Sequence, residues 1–309
     1  MKIDNLLIHL HNSVDAFSLQ PSHVDLISEL LPGTSITVAE GTDAFLEKLP
    51  EADGALAWVF KADWYEGAPK LKALFTPAAG HDWVAADPSG RVKTFYGSFH
   101  GRIMRESLLS MMLYFNRHIG KSLADQKNRI WGRLGYSDCV ALFNQRVLIV
   151  GFGSLGQSMA ELLKAFGARI TAVKRNIGKI ENSPNVDRVI SFDRIEEELS
   201  YADHLIFVLP GGAETDDIFT ARHFKAIKPG AHLFNLGRGN CYREQDLLFA
   251  LENGSLAGAG LDVFAEEPLP PTSALWEHPN VLITPHSSAI SREYIELFIH
   301  DWVEILRKL

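Results

Sequence analysis

The sequence has few or none of the features that define disulfide-stabilised, membrane-spanning or nucleic-acid-binding proteins. Its two cysteines, Cys139 and Cys241, cannot form a disulfide framework, so we expect a reducing compartment and predict a cytoplasmic protein. No apolar run approaches the roughly 18 residues that a membrane span needs, and we expect no signal peptide. Lysine and arginine together number 30 against 38 acidic residues, a net charge of −8. This acidic balance argues against a nucleic acid or an anionic membrane as partner.

The length and the composition indicate a globular protein of about two domains. The chain has 309 residues, and a domain typically holds about 150. Hydrophobic residues make up 46% and charged residues 22%, as is ordinary for a folded protein. We predict an α/β fold of two Rossmann-like, doubly wound parallel-sheet domains. The smaller domain is discontinuous and comprises residues 1–103 and 283–309, and the larger one spans residues 104–282.

Apolar runs and helical periodicity locate the elements behind this prediction. From residue 146 onward, strands, turns and helices alternate, which is typical of right-handed crossovers in a parallel sheet. The predicted strands are 5–10, 35–38, 55–59, 146–150, 170–173, 204–209, 231–236, 259–263 and 281–284. The predicted helices are 21–31, 42–49, 103–118, 155–166 and the amphipathic segment 291–309, which we expect to pack on the first domain.

A glycine-rich turn indicates where a dinucleotide binds. The segment Gly151-Phe152-Gly153-Ser154-Leu155-Gly156 follows the apolar run Arg146–Val150 and opens an amphipathic helix. The first glycine permits a tight turn, the second lets a pyrophosphate approach the backbone, and the third lets the helix pack on the strand. The helix N-terminus also favours phosphate. This context favours a dinucleotide site over a glycine turn that serves packing alone.

The end of the next strand bears on the choice of cofactor. NAD-binding units usually carry an Asp or Glu there, which accepts hydrogen bonds from the ribose hydroxyls. This chain has Lys174 and Arg175 instead. Two adjacent cations would attract a 2′-phosphate, so we predict a preference for NADP(H), with NAD(H) possible. The alternative is a pair of solvated surface cations.

Reactive side chains follow three of the later strands. Arg238 stands between two glycines. Asp262 lies near the end of the next strand, with Glu266 and Glu267 just after it, and His286 follows the last strand. Taken singly, the arginine could cap a helix, the acids could be solvated, and the histidine could be one of twelve without a role. Together, at strand ends where open α/β sheets bind ligands, they indicate an active site. We assign no metal ligand.

These segments resemble the D-isomer-specific 2-hydroxyacid dehydrogenase family, and within it the glyoxylate/hydroxypyruvate reductases. The resemblance covers nearly the whole chain, including residues 71–82 (LKALFTPAAGHD), the helical stretch with Glu106, and residues 209–215. It implies NAD(P)H-dependent reduction of a small 2-keto acid to the D-2-hydroxy acid. Residues 104–282 would then bind the dinucleotide, and the smaller domain would bind substrate. It also implies a homodimer, with residues 103–118 at the interface, although this Met-rich helix could equally be core.

The resemblance assigns a role to each reactive side chain. His286 would be the general acid and base, and Glu267 would orient its imidazole and favour its charged form. Arg238 would bind the substrate carboxylate and polarise the carbonyl. Asp262 would meet the carboxamide of the nicotinamide.

Two further sets of residues follow from the same resemblance. The implied substrate-binding residues are Arg238 and the backbone of Ala79, Gly80 and His81, in the turn that begins at Ala78. The implied cofactor-binding residues are Gly151, Gly153, Ser154, Leu155, Gly156, Lys174, Arg175, Leu209, Pro210, Thr215 and Asp262.

Departures from the family pattern leave several alternatives open. His81 could touch the substrate or face solvent, and Arg105 could add a second cation to the site or form a structural ion pair. Trp58 and Trp131 could line the pocket, although buried packing is usual for tryptophan. The function could also be oxidation of another substrate on this fold, or non-catalytic dinucleotide sensing. The complete set of Arg238, Glu267 and His286 and the absence of disordered tails favour the reductase.

Overall fold

The computed structural model describes residues 1–80, 83–135, 139–175 and 183–308. The chain divides into two compact units, one formed by Met1–His100 with Ile290–Leu309 and the other by Gly101–Ala289. We refer to them as the first and the second unit. None of the helices in these described ranges is both long and apolar enough to span a membrane.

Twelve strands and nine α-helices are defined within the described ranges. The strands are β1 (Asn5–His9), β2 (Ser35–Val38), β3 (Gly54–Ala57), β4 (Ala73–Thr76), β5 (Lys93–Tyr96), β6 (Arg146–Val150), β7 (Arg169–Val173), β8 (Arg188–Ile190), β9 (His204–Phe207), β10 (Ala231–Asn235), β11 (Leu256–Leu261) and β12 (Val281–Ile283). The helices are α1 (Pro21–Leu30), α2 (Thr42–Lys48), α3 (Gly101–Asn116), α4 (Ile119–Lys127), α5 (Ser154–Ala165), α6 (Glu196–Leu199), α7 (Ala221–Ala226), α8 (Glu244–Glu252) and α9 (Tyr294–Lys308).

The first unit is a five-stranded parallel sheet in the order β2-β1-β3-β4-β5. Its central strands β3 and β4 are fully buried, which agrees with their apolar, non-alternating sequences. The C-terminal helix α9 packs in this unit, in contact with α1. One face of α9 is buried, and the ring of Trp302 lies 5.1 Å from that of Phe75, centroid to centroid.

The second unit is a seven-stranded parallel sheet in the order β12-β11-β10-β9-β6-β7-β8. The chain starts in the middle, at β6, runs outward to β8, and then returns to build the other half from β9. The strand order therefore reverses between β6 and β9, which is where ligands bind in such sheets. The prediction of two Rossmann-like, parallel-sheet domains is confirmed.

A single row of residues crosses this sheet at its carboxyl edge. Strand pairing places seven residues side by side: Ile190, Val173, Val150, Phe207, Asn235, Leu261 and Ile283. Each predicted site segment of the second unit begins within a few residues of this row. The register of the sheet thus gathers segments that are far apart in sequence at one edge.

The units divide at 100/101 and 289/290, whereas we expected 103/104 and 282/283. Gly101 already packs in the second unit, because a Cβ there would lie 2.6 Å from the Cβ of Ser158 on α5. At the other end, the residues after β12 are held by Asp262 of the second unit, as described below. The contacts of both segments with the second unit explain the difference.

The Met-rich face of α3 is part of the core of the second unit. Met104, Leu108, Met111 and Met112 are all buried, in one cluster with β6 and α5. Of the two alternatives for this helix, the structure therefore favours core packing for this face.

Candidate active site

The glycine turn after β6 has the geometry that its sequence predicts. Gly151 adopts a positive φ of 103°, and a Cβ there would lie 2.7 Å from the carbonyl oxygen of Val208. A Cβ on Gly156 would lie 2.3 Å from the carbonyl oxygen of Gly151, so the helix packs closely on the turn. A Cβ on Gly153 would meet no atom within 4 Å. The backbone at Gly153 is therefore open to a ligand, and α5 begins at the next residue.

A cavity of about 540 Å³ adjoins this turn. It is lined by residues that follow β6, β7, β8 and β9, on both sides of the point where the strand order reverses. The lining includes the predicted residues Gly151, Gly153, Lys174, Arg175, Leu209, Pro210 and Thr215. It also includes Ser191, Phe192, Asp193 and Glu214, which the sequence did not single out. The open backbone at Gly153 and this lining fit a dinucleotide with its pyrophosphate on the turn.

The two cations at the end of β7 are in different surroundings from those we expected. Both Lys174 and Arg175 line the cavity, but Arg175 is already paired: its Nη1 lies 2.5 Å from Oε2 of Glu214. Each side chain of this pair is 73% exposed. A carboxylate thus stands beside the cation that we predict to bind a 2′-phosphate.

Thr215 fixes the loop that follows β9. Its side chain is buried, and its hydroxyl lies 2.8 Å from the carbonyl oxygen of Pro210 and 2.9 Å from that of Gly212. A hydroxyl used in this way holds the loop closed on itself. Thr215 therefore shapes the cavity wall that Leu209 and Pro210 complete.

The imidazole of His286 is held by Glu267. Nδ1 of His286 lies 2.7 Å from Oε2 of Glu267, and the other carboxylate oxygen accepts the backbone N–H of Phe264 at 2.9 Å. A carboxylate can only accept here, so Nδ1 carries the proton, and in the neutral ring Nε2 is the basic nitrogen. His286 has a φ of 50°, an uncommon conformation for a residue with a side chain, and such conformations cluster at functional sites.

Asp262 has a clear structural role in the same turn. Its carboxylate is fully buried and accepts hydrogen bonds from the Thr284 hydroxyl and from the backbone N–H groups of Ser287 and Ser288. Its backbone carbonyl also accepts the N–H of His286 at 2.8 Å. Asp262 therefore fixes the backbone that presents His286. The predicted contact with a nicotinamide carboxamide stays a prediction.

Arg238 occupies a tightly packed turn after β10. Its side chain is half-buried, and its Nη1 donates to the carbonyl oxygen of Gly237 at 2.9 Å. On the far side, a Cβ on Gly239 would lie only 1.9 Å from the carbonyl carbon of Phe264. Gly239 thus brings the Arg238 turn into direct contact with the turn that ends at Glu267. Arg238, Glu267 and His286 stand on three adjoining segments at the same sheet edge.

The other predicted substrate residues belong to the first unit. Ala79 is exposed and Gly80 is half-buried, in the turn after β4. The N–H of Ala78 donates to the Thr76 hydroxyl at 3.3 Å. The prediction for His81 lies outside the described residues.

The contacts of three further side chains bear on the alternatives that the sequence left open. Arg105 forms an ion pair with Glu161, at 3.3 Å, which favours the structural explanation. Trp58 is 8% exposed, and its indole N–H donates to the carbonyl oxygen of Phe17. Trp131 is 90% exposed, so the expectation of buried packing is wrong for this residue.

The fold and the glycine turn define a dinucleotide-binding α/β protein, and Arg238 and the Glu267–His286 pair lie beyond the carboxyl ends of its neighbouring strands. The sequence profile of "D-isomer specific 2-hydroxyacid dehydrogenase, NAD binding domain" matches residues 109–288. The glyoxylate/hydroxypyruvate reductase A of Serratia proteamaculans is 34% identical over 252 residues, 78% of each chain.

Two solved structures extend the similarity over the whole chain. An NADPH-dependent glyoxylate/hydroxypyruvate reductase from Sinorhizobium meliloti, in complex with NADP and sulfate, is 28% identical with a TM-score of 0.76, over 99% of this chain and 95% of the other. A D-isomer specific 2-hydroxyacid dehydrogenase from Xanthobacter autotrophicus, in complex with NADPH and MES, is 25% identical with a TM-score of 0.82 over the same shares. The chain belongs to the D-isomer-specific 2-hydroxyacid dehydrogenase family and is an oxidoreductase that uses NAD(P).

Proposed function

We propose that this chain reduces a small 2-keto acid, of the glyoxylate or hydroxypyruvate type, to the D-2-hydroxy acid, with NADPH preferred and NADH possible. The observation that carries the proposal is the 2.7 Å contact between His286 and Glu267, on a sheet edge shared with Arg238 and the glycine turn. The relatives named above as glyoxylate/hydroxypyruvate reductases support this substrate class.

The reaction needs a hydride and a proton. The residues at the carboxyl ends of these strands can supply the proton. The reduced nicotinamide supplies the hydride to the carbonyl carbon when it is bound. His286, charged with Nδ1–H on Glu267, donates its Nε2 proton to the carbonyl oxygen. Arg238 binds the substrate carboxylate with its guanidinium and polarises the carbonyl. Glu267 holds the ring in orientation through its hydrogen bond to Nδ1.

The cofactor preference rests on Lys174 and Arg175. Both line the cavity at the end of β7, where NAD-specific relatives of the fold carry an acid. We propose that they bind the 2′-phosphate, with Gly151, Gly153, Ser154, Leu155 and Gly156 at the pyrophosphate. The 2′-phosphate then competes with Glu214 for Arg175.

The oligomeric state and the compartment complete the proposal. We propose a homodimer, supported by large apolar side chains that follow α3 and stay exposed: Leu123 at 58%, Ile130 at 57%, Trp131 at 90% and Phe143 at 67%. We propose a cytoplasmic location, supported by the free state of Cys139 and Cys241.

Steady-state kinetics test the activity directly. Glyoxylate, hydroxypyruvate, pyruvate and phenylpyruvate are each offered with NADPH and with NADH. We expect the highest kcat/KM with glyoxylate or hydroxypyruvate and NADPH. Tight NADPH binding without turnover of any of the four acids would favour a dinucleotide sensor and overturn the proposal.

A further inference from the structure

Three buried side chains surround the backbone of Arg238. Asn235 is the last residue of β10, while Cys241 and Tyr242 follow Arg238 in the chain. Asn235 and Cys241 are 0% exposed, and Tyr242 is 6% exposed. Because all three side chains are buried, we expect any effect that they have on the reaction to act through the residues that they contact.

The amide of Asn235 makes contacts on both of its sides. Its Oδ1 accepts the backbone N–H of Gly237 at 3.0 Å. Its Nδ2 donates to the carbonyl oxygen of Arg238 at 3.0 Å and to the hydroxyl oxygen of Tyr242 at 3.1 Å. The amide thereby spans the turn, and the Tyr242 hydroxyl oxygen is a further, buried acceptor that ties the amide to the core.

A second side chain donates to the same carbonyl. The thiol of Cys241 lies 3.5 Å from the carbonyl oxygen of Arg238. Burial raises the pKa of this thiol to about 12 and also raises the pKa of Tyr242, so both stay protonated at working pH. The Tyr242 ring stands nearly perpendicular to those of Phe207 and Phe224, with centroids 5.7 and 5.9 Å away, which fixes its hydroxyl.

We propose that Tyr242 and Cys241 are positioning residues for substrate binding, which act through Asn235 and the carbonyl of Arg238 to aim the guanidinium. This inference rests on the proposed function, because it assumes that Arg238 binds the substrate carboxylate. The turn has little other freedom on its far side, where Gly239 packs on Phe264. The hydrogen bonds from Asn235 and Cys241 therefore fix the position of the Arg238 backbone.

The first test is Tyr242→Phe, which removes only the hydroxyl. We expect the KM for the 2-keto acid to rise about fivefold, the size of one hydrogen bond, while the Kd for NADPH, measured by fluorescence titration, stays unchanged. Tyr201→Phe is the matched control, because Tyr201 is 55% exposed and lies away from this edge. An unchanged KM in a folded Tyr242→Phe variant would overturn the inference.

A double-mutant cycle with Arg238→Ala separates this inference from the proposed function. If Tyr242 acts through Arg238, the effect of Tyr242→Phe on KM disappears in the Arg238→Ala background. If the two effects simply add, Tyr242 is not a positioning residue for Arg238, although the proposed function stands. If Arg238→Ala alone leaves the KM unchanged, the proposed role of Arg238 itself fails.

A pair of variants at Cys241 gives an independent measurement. Cys241→Ser keeps a donor toward the Arg238 carbonyl, whereas Cys241→Ala removes it. We expect Cys241→Ala to raise the KM about threefold, as for a weak hydrogen bond, and Cys241→Ser to stay close to the native value. Equal effects of the two substitutions would show a packing role alone and would overturn the assignment of Cys241.

Discussion

The hydrogen bond between His286 and Glu267 fixes the orientation of the imidazole ring. With Nδ1 bound to a carboxylate that is itself fixed by the N–H of Phe264, the ring cannot turn freely. The positive φ of His286 is maintained by the hydrogen bond from its N–H to Asp262. A strained backbone held in this way is expected where orientation matters to chemistry.

Removing the imidazole should therefore remove the proton donor and little else. We expect His286→Ala to lower kcat by about 10²-fold or more, with the Kd for NADPH unchanged. His300→Ala is the matched control, because His300 is exposed on α9. A kcat for His286→Ala within a factor of about two of the native value would exclude the role of His286 as general acid.

Glu214 is expected to oppose the binding of NADPH. It pairs with Arg175 at 2.5 Å, so its carboxylate competes with a 2′-phosphate for the same guanidinium. We expect Glu214→Gln to lower the KM for NADPH about threefold, a modest effect because the pair is exposed, and to leave NADH unaffected. Arg175→Ala should raise the KM for NADPH alone, about tenfold.

The control for these variants is a second exposed ion pair. Arg222 and Glu196 lie 2.7 Å apart, and Arg222 is 80% exposed, so Glu196→Gln should change neither cofactor's KM. If Glu214→Gln altered the KM values for NADPH and NADH to the same extent, the 2′-phosphate would not be the group that Arg175 recognises.

At the scale of the elements, the sequence predicted some strands to the residue and missed others. Arg146–Val150 and Ser35–Val38 were predicted to the residue. The strands β4 (Ala73–Thr76), β5 (Lys93–Tyr96) and β8 (Arg188–Ile190) were missed. The edge strands β5 and β8 are short and begin with a charged residue, so neither presents the apolar run that reveals a buried strand. The central strand β4 is apolar, but periodicity alone cannot tell a run of four apolar residues from part of a buried helix.

The site shows the same division between local and tertiary signals. Arg238, Glu267 and His286 could be found because each follows an apolar strand in a Gly- or Pro-bearing turn. Tyr242 and Glu214 could not be found, because their significance lies in contacts with Asn235 and Arg175, distant in sequence or hidden in the core. A hydrogen bond between separate segments leaves no periodic trace in the sequence.

The junction between the turns after β10 and β11 is expected to tolerate no side chain at Gly239. A Cβ there would lie 1.9 Å from the carbonyl carbon of Phe264, and backbone on both sides leaves no flexible group to yield. We expect Gly239→Ala to lower the free energy of unfolding by about 3 kcal/mol, as for severe overpacking, and kcat/KM with it. Urea unfolding and steady-state kinetics measure the two effects.

Gly41→Ala is the control for that substitution. Gly41 is the residue before α2, its φ of −173° is extended, and a Cβ there would meet no atom within 4 Å. We expect a change of less than about 0.5 kcal/mol. Equal stability of the Gly239→Ala and Gly41→Ala proteins would contradict the tight junction.

At the scale of the whole molecule, two histidines far from the carboxyl edge link folding to pH. His204 and His232 are on adjacent strands, β9 and β10, with ring centroids 5.8 Å apart. Neither ring nitrogen of His204 has a hydrogen-bond partner among the residues that the structure describes. Burial lowers the pKa of His204 to about 3 and that of His232 to about 4.

Because these pKa values are lower in the folded state, the unfolded chain binds more protons once the pH falls below about 6.5. The contribution of these two histidines to the free energy of unfolding is therefore fully present above pH 6.5. It decreases as the pH falls, by up to about 1.4 kcal/mol per pH unit for each histidine. We expect His204→Leu to remove one such contribution, so that its advantage over the native protein in urea unfolding grows from pH 7 to pH 5. His300→Leu, at an exposed position, should follow the native pH dependence. If the free energies of unfolding of His204→Leu and the native protein changed with pH in parallel, His204 would not be a neutral, buried side chain in the folded protein.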